Sequence, residues 1–139
     1  MENITYEKAK IEQCLELSKV KRQIWFTTYR GIYSDQDLNY YSVHHNKNKF
    51  EESIANPNVS LYVAAQNDRI VGFMRCGQPQ RPFQDYKQDI GQLYVLNEYQ
   101  KKGIGKGLFL IGKNIVADNG FSEFFVSVNK YNKNALDFY

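Results

Sequence analysis

The segment from 88 to 128 constrains the fold more than any other part of the chain. "DIGQLYVL" and "FSEFFVSVN" are rich in β-branched and aromatic residues and read as strands. Between them, residues 105–119 carry Leu108, Ile111, Ile115 and Val116 on one helical face, and Asn119-Gly120 supplies the stop signal. Strand 88–96, helix 105–119 and strand 122–128 therefore make one crossover, which is right-handed and leaves its two strands as parallel neighbours.

Upstream, the period is that of antiparallel pairing. "VSLYVAAQ" and "RIVGFMRCG" flank the turn "ND" and form a hairpin. "PQRPFQDY" is a loop made irregular by Pro79 and Pro82. The N-terminal third opens with a short strand in "ITYEKA". A helix follows from Ile11 to about Tyr29, with Ile11, Cys14, Leu15, Val20, Ile24 and Trp25 near helical spacing. Ser34 or Asp35 caps a second helical stretch through Phe50, and "NPN" at 56–58 ends it. "NKNALDFY" starts a last helix. The expected architecture is a mixed α+β domain, a central sheet with both parallel and antiparallel pairs flanked by helices.

At 139 residues and 16.3 kDa the chain is expected to be one domain, 1–139, with a core large enough to need no metal or disulfide staple. A net charge of +3 is too small for the basic face that nucleic acid demands, so no nucleic-acid partner is expected. Cys14 and Cys76 have no C-x-x-C partner, which indicates neither a zinc site nor a disulfide framework and suits buried thiols in a reducing cytoplasm. No segment approaches 18 apolar residues and the N-terminus lacks a signal-like apolar run, so no membrane partner is expected either. His44 and His45, the two histidines, sit in the polar "SVHHNKNK" and point to different helix faces, a poor chelate.

The stretch "EYQKKGIGKGLF" at 98–109 combines bare backbone with positive charge. The dinucleotide pattern G-x-G-x-x-G fails, because Leu108 stands where the third glycine belongs. A P-loop fails too, since Asn114 follows Lys113 and the residues between Gly107 and Gly112 are an apolar helix set. What remains is Gln100-x-x-Gly103-x-Gly105 leading into a helix, whose first free N–H groups and dipole make an anion site. Lys101, Lys102 and Lys106 add charge around it. For the glycines alone, a tight strand-to-helix turn with a solvated basic edge is an equally good reading.

With its neighbours, "LYVLNEYQKKGIGKGLF" resembles the acetyl-CoA-binding motif of the GNAT superfamily of N-acetyltransferases. "NKNALDFY" is similar to a second family motif, Asn-x-x-Ala-x-x-Phe-Tyr, starting at Asn132 about 30 residues downstream. The resemblance covers residues 60–139 well, and the N-terminal third in its helix content. It implies that Leu93, Tyr94 and Val95 offer backbone to the pantetheine amides, as a β-strand pairs with a peptide. It also implies that Gln100, Lys101, Lys102, Gly103, Ile104, Gly105 and Lys106 take the pyrophosphate, and that Asn132 contacts the arm.

The implied reaction is acetyl transfer from acetyl-CoA to a primary amine of a small molecule or peptide by direct attack. Tyr139 matches the position near the sulfur; a phenol of pKa roughly 10 is a suitable acid for a thiolate whose thiol has roughly 8.5. Asp89 matches an acidic position at the start of the motif strand and is the candidate base. An aspartate is ordinarily solvated, and that reading stands beside the first. Trp25, Phe26 and Tyr29 line an acceptor pocket or pack the core. Members of the family usually continue through two further strands beyond the point matching Tyr139. This implies a C-terminally short domain whose strand 122–128 exposes an edge that favours association with a second copy. The same feature keeps open a rival reading, a non-catalytic acyl-CoA-binding module or truncated remnant.

Overall fold

In a computed structural model, residues 3–34, 36, 43–126 and 138 are described. Residues 127 and 128 of the expected strand 122–128, Asn132 and Tyr139, and most of the stretch between the first two helices lie outside these residues, and the described part of that strand is confined to Phe125–Val126.

Among the described residues, five strands form one sheet in the order β1-β2-β3-β4-β5, comprising β1 (Ile4–Lys8), β2 (Val59–Gln66), β3 (Arg69–Gly77), β4 (Asp89–Val95) and β5 (Phe125–Val126). The first three pairings are antiparallel, and β4 with β5 is parallel. The β2–β3 hairpin turns at Asn67 and Asp68, with φ of 51° and 65°. Two consecutive positive φ values are what a two-residue hairpin turn needs to match strand twist, and Asn and Asp tolerate them well.

Helix α1 (Cys14–Tyr29) is preceded by a 3-10 turn at Ile11–Gln13, so the expected helix start at Ile11 is a tighter turn than the periodicity implies. It buries Cys14, Leu17, Ser18, Lys21 and Ile24, which fall on one face of the helix. Helix α2 (Val43–Ala55) runs past Phe50 and stops at the residue before Asn56-Pro57. His44 and His45 lie on its exposed side. Helix α3 (Ile104–Asp118) buries Ile104, Leu108, Gly112 and Val116, with Ile111 and Ile115 half-buried.

The two faces of the sheet are covered by different helices. On one side Gly112 of α3 sits so close to Met74 and Ile90 that an added Cβ would lie 3.1 Å from Sδ and Cδ1 respectively. On the other, Phe50 of α2 meets Phe73 edge-on at 5.3 Å, and Ser53 of α2 meets Arg75. The side chains of β3 alternate between these layers as a strand's period of two requires. This alternation decides which residues of β4 face which helix.

Candidate functional site

The glycine turn is built at the C-terminal end of β4. A 3-10 turn at Asn97–Tyr99 leads out of the strand, and the main chain then passes through Lys101 at φ 60° and Gly103 at φ 87°. Gly103 is the N-cap of α3 and lies in the left-handed region, where glycine has no steric cost. No side chain caps the helix, and the first intrahelical bond runs from the Gly107 N–H to the Gly103 carbonyl at 3.0 Å. The N–H groups of Ile104, Gly105 and Lys106 thus stand at the uncapped, positive end of a fifteen-residue helix.

A Cβ at Gly103 would meet nothing within 4 Å, so the backbone there is open to an approaching group. At Gly105 a Cβ would lie 3.3 Å from the ring of Phe138 and 3.8 Å from Val95 Cγ2. Phe138 also packs edge-on against Phe109 at 6.3 Å. Phe138 therefore packs against α3 beside Gly105. Lys101, Lys102 and Lys106 are all exposed, with Lys102 Nζ 5.6 Å over the Tyr99 ring. Gln100 bonds back into the turn: its main-chain N–H donates to Asn97 O and its side-chain amide to Val95 O, both at 3.2 Å. Its visible part is to hold the turn's shape.

Along β4, the ladder to β5 links Asp89 with Phe125 and Ile90 with Val126. Leu93 and Tyr94 are half-buried and Val95 is buried, each paired on the β3 side, to Met74, Phe73 and Gly72 respectively. The β3–β4 register skips one residue between Ile90 and Gln92, so Gly91 is the extra residue of a bulge. A glycine inside a strand is the sequence sign of such a feature.

Asp89 is not a solvated acid. It is 5% exposed and lies on the α2 face, where Arg75, equally buried, is its counterion. Arg75 Nη1 stands 3.9 Å from Asp89 Oδ1, close enough for charge attraction and too far for a hydrogen bond. Oδ1 has no hydrogen-bond partner among the described residues. Burial pushes the carboxyl up from its ordinary 3.8 to about 6, with Arg75 pulling the other way. A buried carboxylate with an unpartnered oxygen and a pKa near neutrality has the properties of a proton acceptor.

The aromatic residues of α1 divide. Tyr29 is buried, 4.6 Å from the Trp25 ring and 5.4 Å from Tyr33. Phe26 instead lies under Arg22 and Arg30, at 5.2 and 5.7 Å. The three residues, read as pocket lining or core packing, therefore do not share one environment.

Comparison with known proteins decides the family. The sequence profile of the acetyltransferase (GNAT) family matches residues 22–139. The chain belongs to the GNAT acetyltransferases. It is an acetyl-CoA-dependent N-acetyltransferase. This GNAT acetyltransferase is 28% identical, over 96% of its length and 76% of the relative's, to the uncharacterized N-acetyltransferase YuaI of Bacillus subtilis. It is also 28% identical, over 99% of its length and 85% of the relative's, to a spermidine N(1)-acetyltransferase of Thermoplasma acidophilum. The crystal structure of PaiA N-acetyltransferase from Thermoplasma acidophilum in complex with coenzyme A superposes with a TM-score of 0.83 at 27% identity, covering 99% of this chain and 86% of that one. The uncapped α3 N-terminus and the open backbone at Gly103 fit a pyrophosphate. No helix among the described residues is long and apolar enough to cross a membrane.

Proposed function

We propose that this GNAT acetyltransferase acetylates a primary amine of an aliphatic polyamine, with Asp89 as the base. The observation that carries the proposal is the buried Asp89 carboxylate, whose Oδ1 has no hydrogen-bond donor among the described residues and whose pKa is raised to about 6. Acetyl-CoA supplies an acyl group activated as a thioester. An ammonium cannot attack it, so the acceptor must first lose a proton, and Asp89 takes it directly or through one water. The polyamine class is supported by 28% identity across 99% of the chain to a protein named for spermidine.

The remaining roles follow the chain. The N–H groups of Ile104, Gly105 and Lys106 and the bare backbone at Gly103 hold the pyrophosphate, with Gln100 fixing the turn and Lys101, Lys102 and Lys106 supplying charge. The main chain of Leu93, Tyr94 and Val95 pairs with the pantetheine amides, and Asn132 contacts that arm. Tyr139 donates the proton to the departing thiolate. The free, buried Cys14 and Cys76 suit a reducing cytoplasm. A second copy docks along β5, which closes the sheet among the described residues.

The test is thiol release from acetyl-CoA across spermidine, spermine, putrescine, a lysine peptide and an aminoglycoside. Spermidine or spermine is expected to give the highest kcat/KM; a preference for the peptide or the aminoglycoside would replace the polyamine assignment. In the same assay Tyr139→Phe is expected to lower turnover by about 10²-fold with CoA affinity unchanged, as removal of a general acid does. Turnover indifferent to that substitution would take Tyr139 out of the mechanism.

A further inference from the structure

Arg75 is the one charged residue in the otherwise apolar run "IVGFMRCG", and the hairpin buries it to 5% exposure. A guanidinium stays protonated at any ordinary pH, so one held inside a protein must be compensated. Its contacts are spread over three parts of the fold. Nε donates to Ser53 Oγ of α2 at 3.4 Å, Nη1 donates to the Gln78 carbonyl beyond the end of β3 at 3.2 Å, and Nη1 faces Asp89 Oδ1 of β4 at 3.9 Å. The first two bonds fix the guanidinium plane. The third contact supplies charge without a hydrogen bond and leaves Oδ1 able to accept a proton.

We propose that Arg75 is a positioning residue, clamped by Ser53 and Gln78 so that its charge keeps the Asp89 carboxylate ionised and aimed for proton transfer. The inference rests on the reading of Asp89 as the base. Two opposing influences act on that carboxyl: burial favours the neutral acid and Arg75 favours the carboxylate. Without Arg75 only burial remains. The acid would then hold its proton at neutral pH and could not take one from an ammonium.

The surroundings make Arg75 the charge that matters. From β3 the other titratable neighbour is Cys76, a thiol pushed up to about 11 by burial and so neutral throughout the working range. From β5 the ladder partner is Phe125, and the preceding residue on the chain is the neutral Gln88. Ser53 approaches Arg75 from α2. Helix α1 brings Lys21 to the same face of the sheet, 5.7 Å from the Phe50 ring and lowered to about 8 by burial. Helix α3 packs on the opposite face.

The test is the pH dependence of kcat/KM with spermidine and acetyl-CoA, for wild type, Arg75→Met, Arg75→Lys, Ser53→Ala and Asp89→Asn. Arg75→Met is expected to move the acid limb upward by about one to three pH units. Its rate deficit should be large at pH 7 and fade by pH 9, with CoA affinity unchanged; a merely structural loss would lower the whole profile without moving the limb. Arg75→Lys keeps the charge and is expected to restore most of the limb's position. Ser53→Ala frees Nε alone and keeps the test open should Arg75→Met fail to fold; it is expected to move the limb the same way by less. A limb unmoved in folded Arg75→Met, or unmoved in Ser53→Ala when the methionine variant does not fold, overturns the proposal. Asp89→Asn separates the layers. If it abolishes the limb while the Arg75 variants leave theirs in place, the positioning role falls and the base survives; if Asp89→Asn keeps the limb, the base reading falls and takes this inference with it.

Discussion

Asp89→Asn is expected to lower kcat for amine acetylation by about 10²–10⁴-fold, the range over which a positioned acid or base contributes. CoA affinity should be unchanged, because the carboxylate lies at the start of β4 while the uncapped α3 amides follow the strand's other end. Stability should change far less than activity. The folded pKa of about 6 exceeds the ordinary 3.8, so the folded state binds this proton more tightly than the unfolded chain does. The stability linked to that proton is fully present below pH 4 and is lost as pH rises through 6. At pH 8 the wild-type protein carries an ionised carboxylate at a cost on the order of 3 kcal/mol. Asparagine removes that cost but leaves the buried Arg75 guanidinium without its counterion, and breaking a buried ion pair from one side ordinarily destabilises. The two effects oppose each other, so the variant's melting temperature at pH 8 should move little while activity is lost. An inactive variant that melts far lower would instead mark Asp89 as structural.

Gly105→Val is expected to weaken CoA binding by about 10²–10⁴-fold, equivalent to two charge-assisted hydrogen bonds of roughly 1.5–3 kcal/mol each. Gly105 is in the first turn of α3 and its φ is not positive, so a side chain there brings no left-handed strain. The nearest obstacle is the edge of the Phe138 ring at 3.3 Å, and Phe138 is 47% exposed and able to yield. What the branched side chain obstructs is the approach of phosphate oxygens to the amides of the helix end. Melting should change by less than about 1 kcal/mol, since valine is the better helix former of the two. Calorimetry finding unchanged CoA affinity in the folded variant would move the pyrophosphate away from this turn.

The sheet and its crossover were legible because local signals there agree with the global fold. Asn67-Asp68 can hardly be anything but a hairpin turn, and the apolar face of 105–119 has one sheet to cover. The turn's uncapped amides were legible for the same reason, since Gly103 has to take a left-handed φ where the strand reverses into a helix. Asp89 was only half legible. Its place at the head of the motif strand follows from sequence, but its burial depends on Arg75, fourteen positions earlier and across a strand. The available signal was Arg75 itself, a charge inside an apolar strand that must find a counterion. Gly91 was a second signal, a strand glycine marking a bulge two residues from the carboxylate. The aromatic trio on α1 was open to two readings, pocket lining or core packing, and periodicity could not choose between them; Phe26 faces cations while Tyr29 turns into the core.

The most direct measurement of the catalytic claim is the pH profile of kcat/KM for acetylation of spermidine, in wild type and in Asp89→Asn side by side. A wild-type acid limb near pH 6 that disappears in the asparagine variant, with CoA affinity equal in both, is the predicted result. Identical profiles in the two proteins, governed only by the ionisation of the amine, would contradict it.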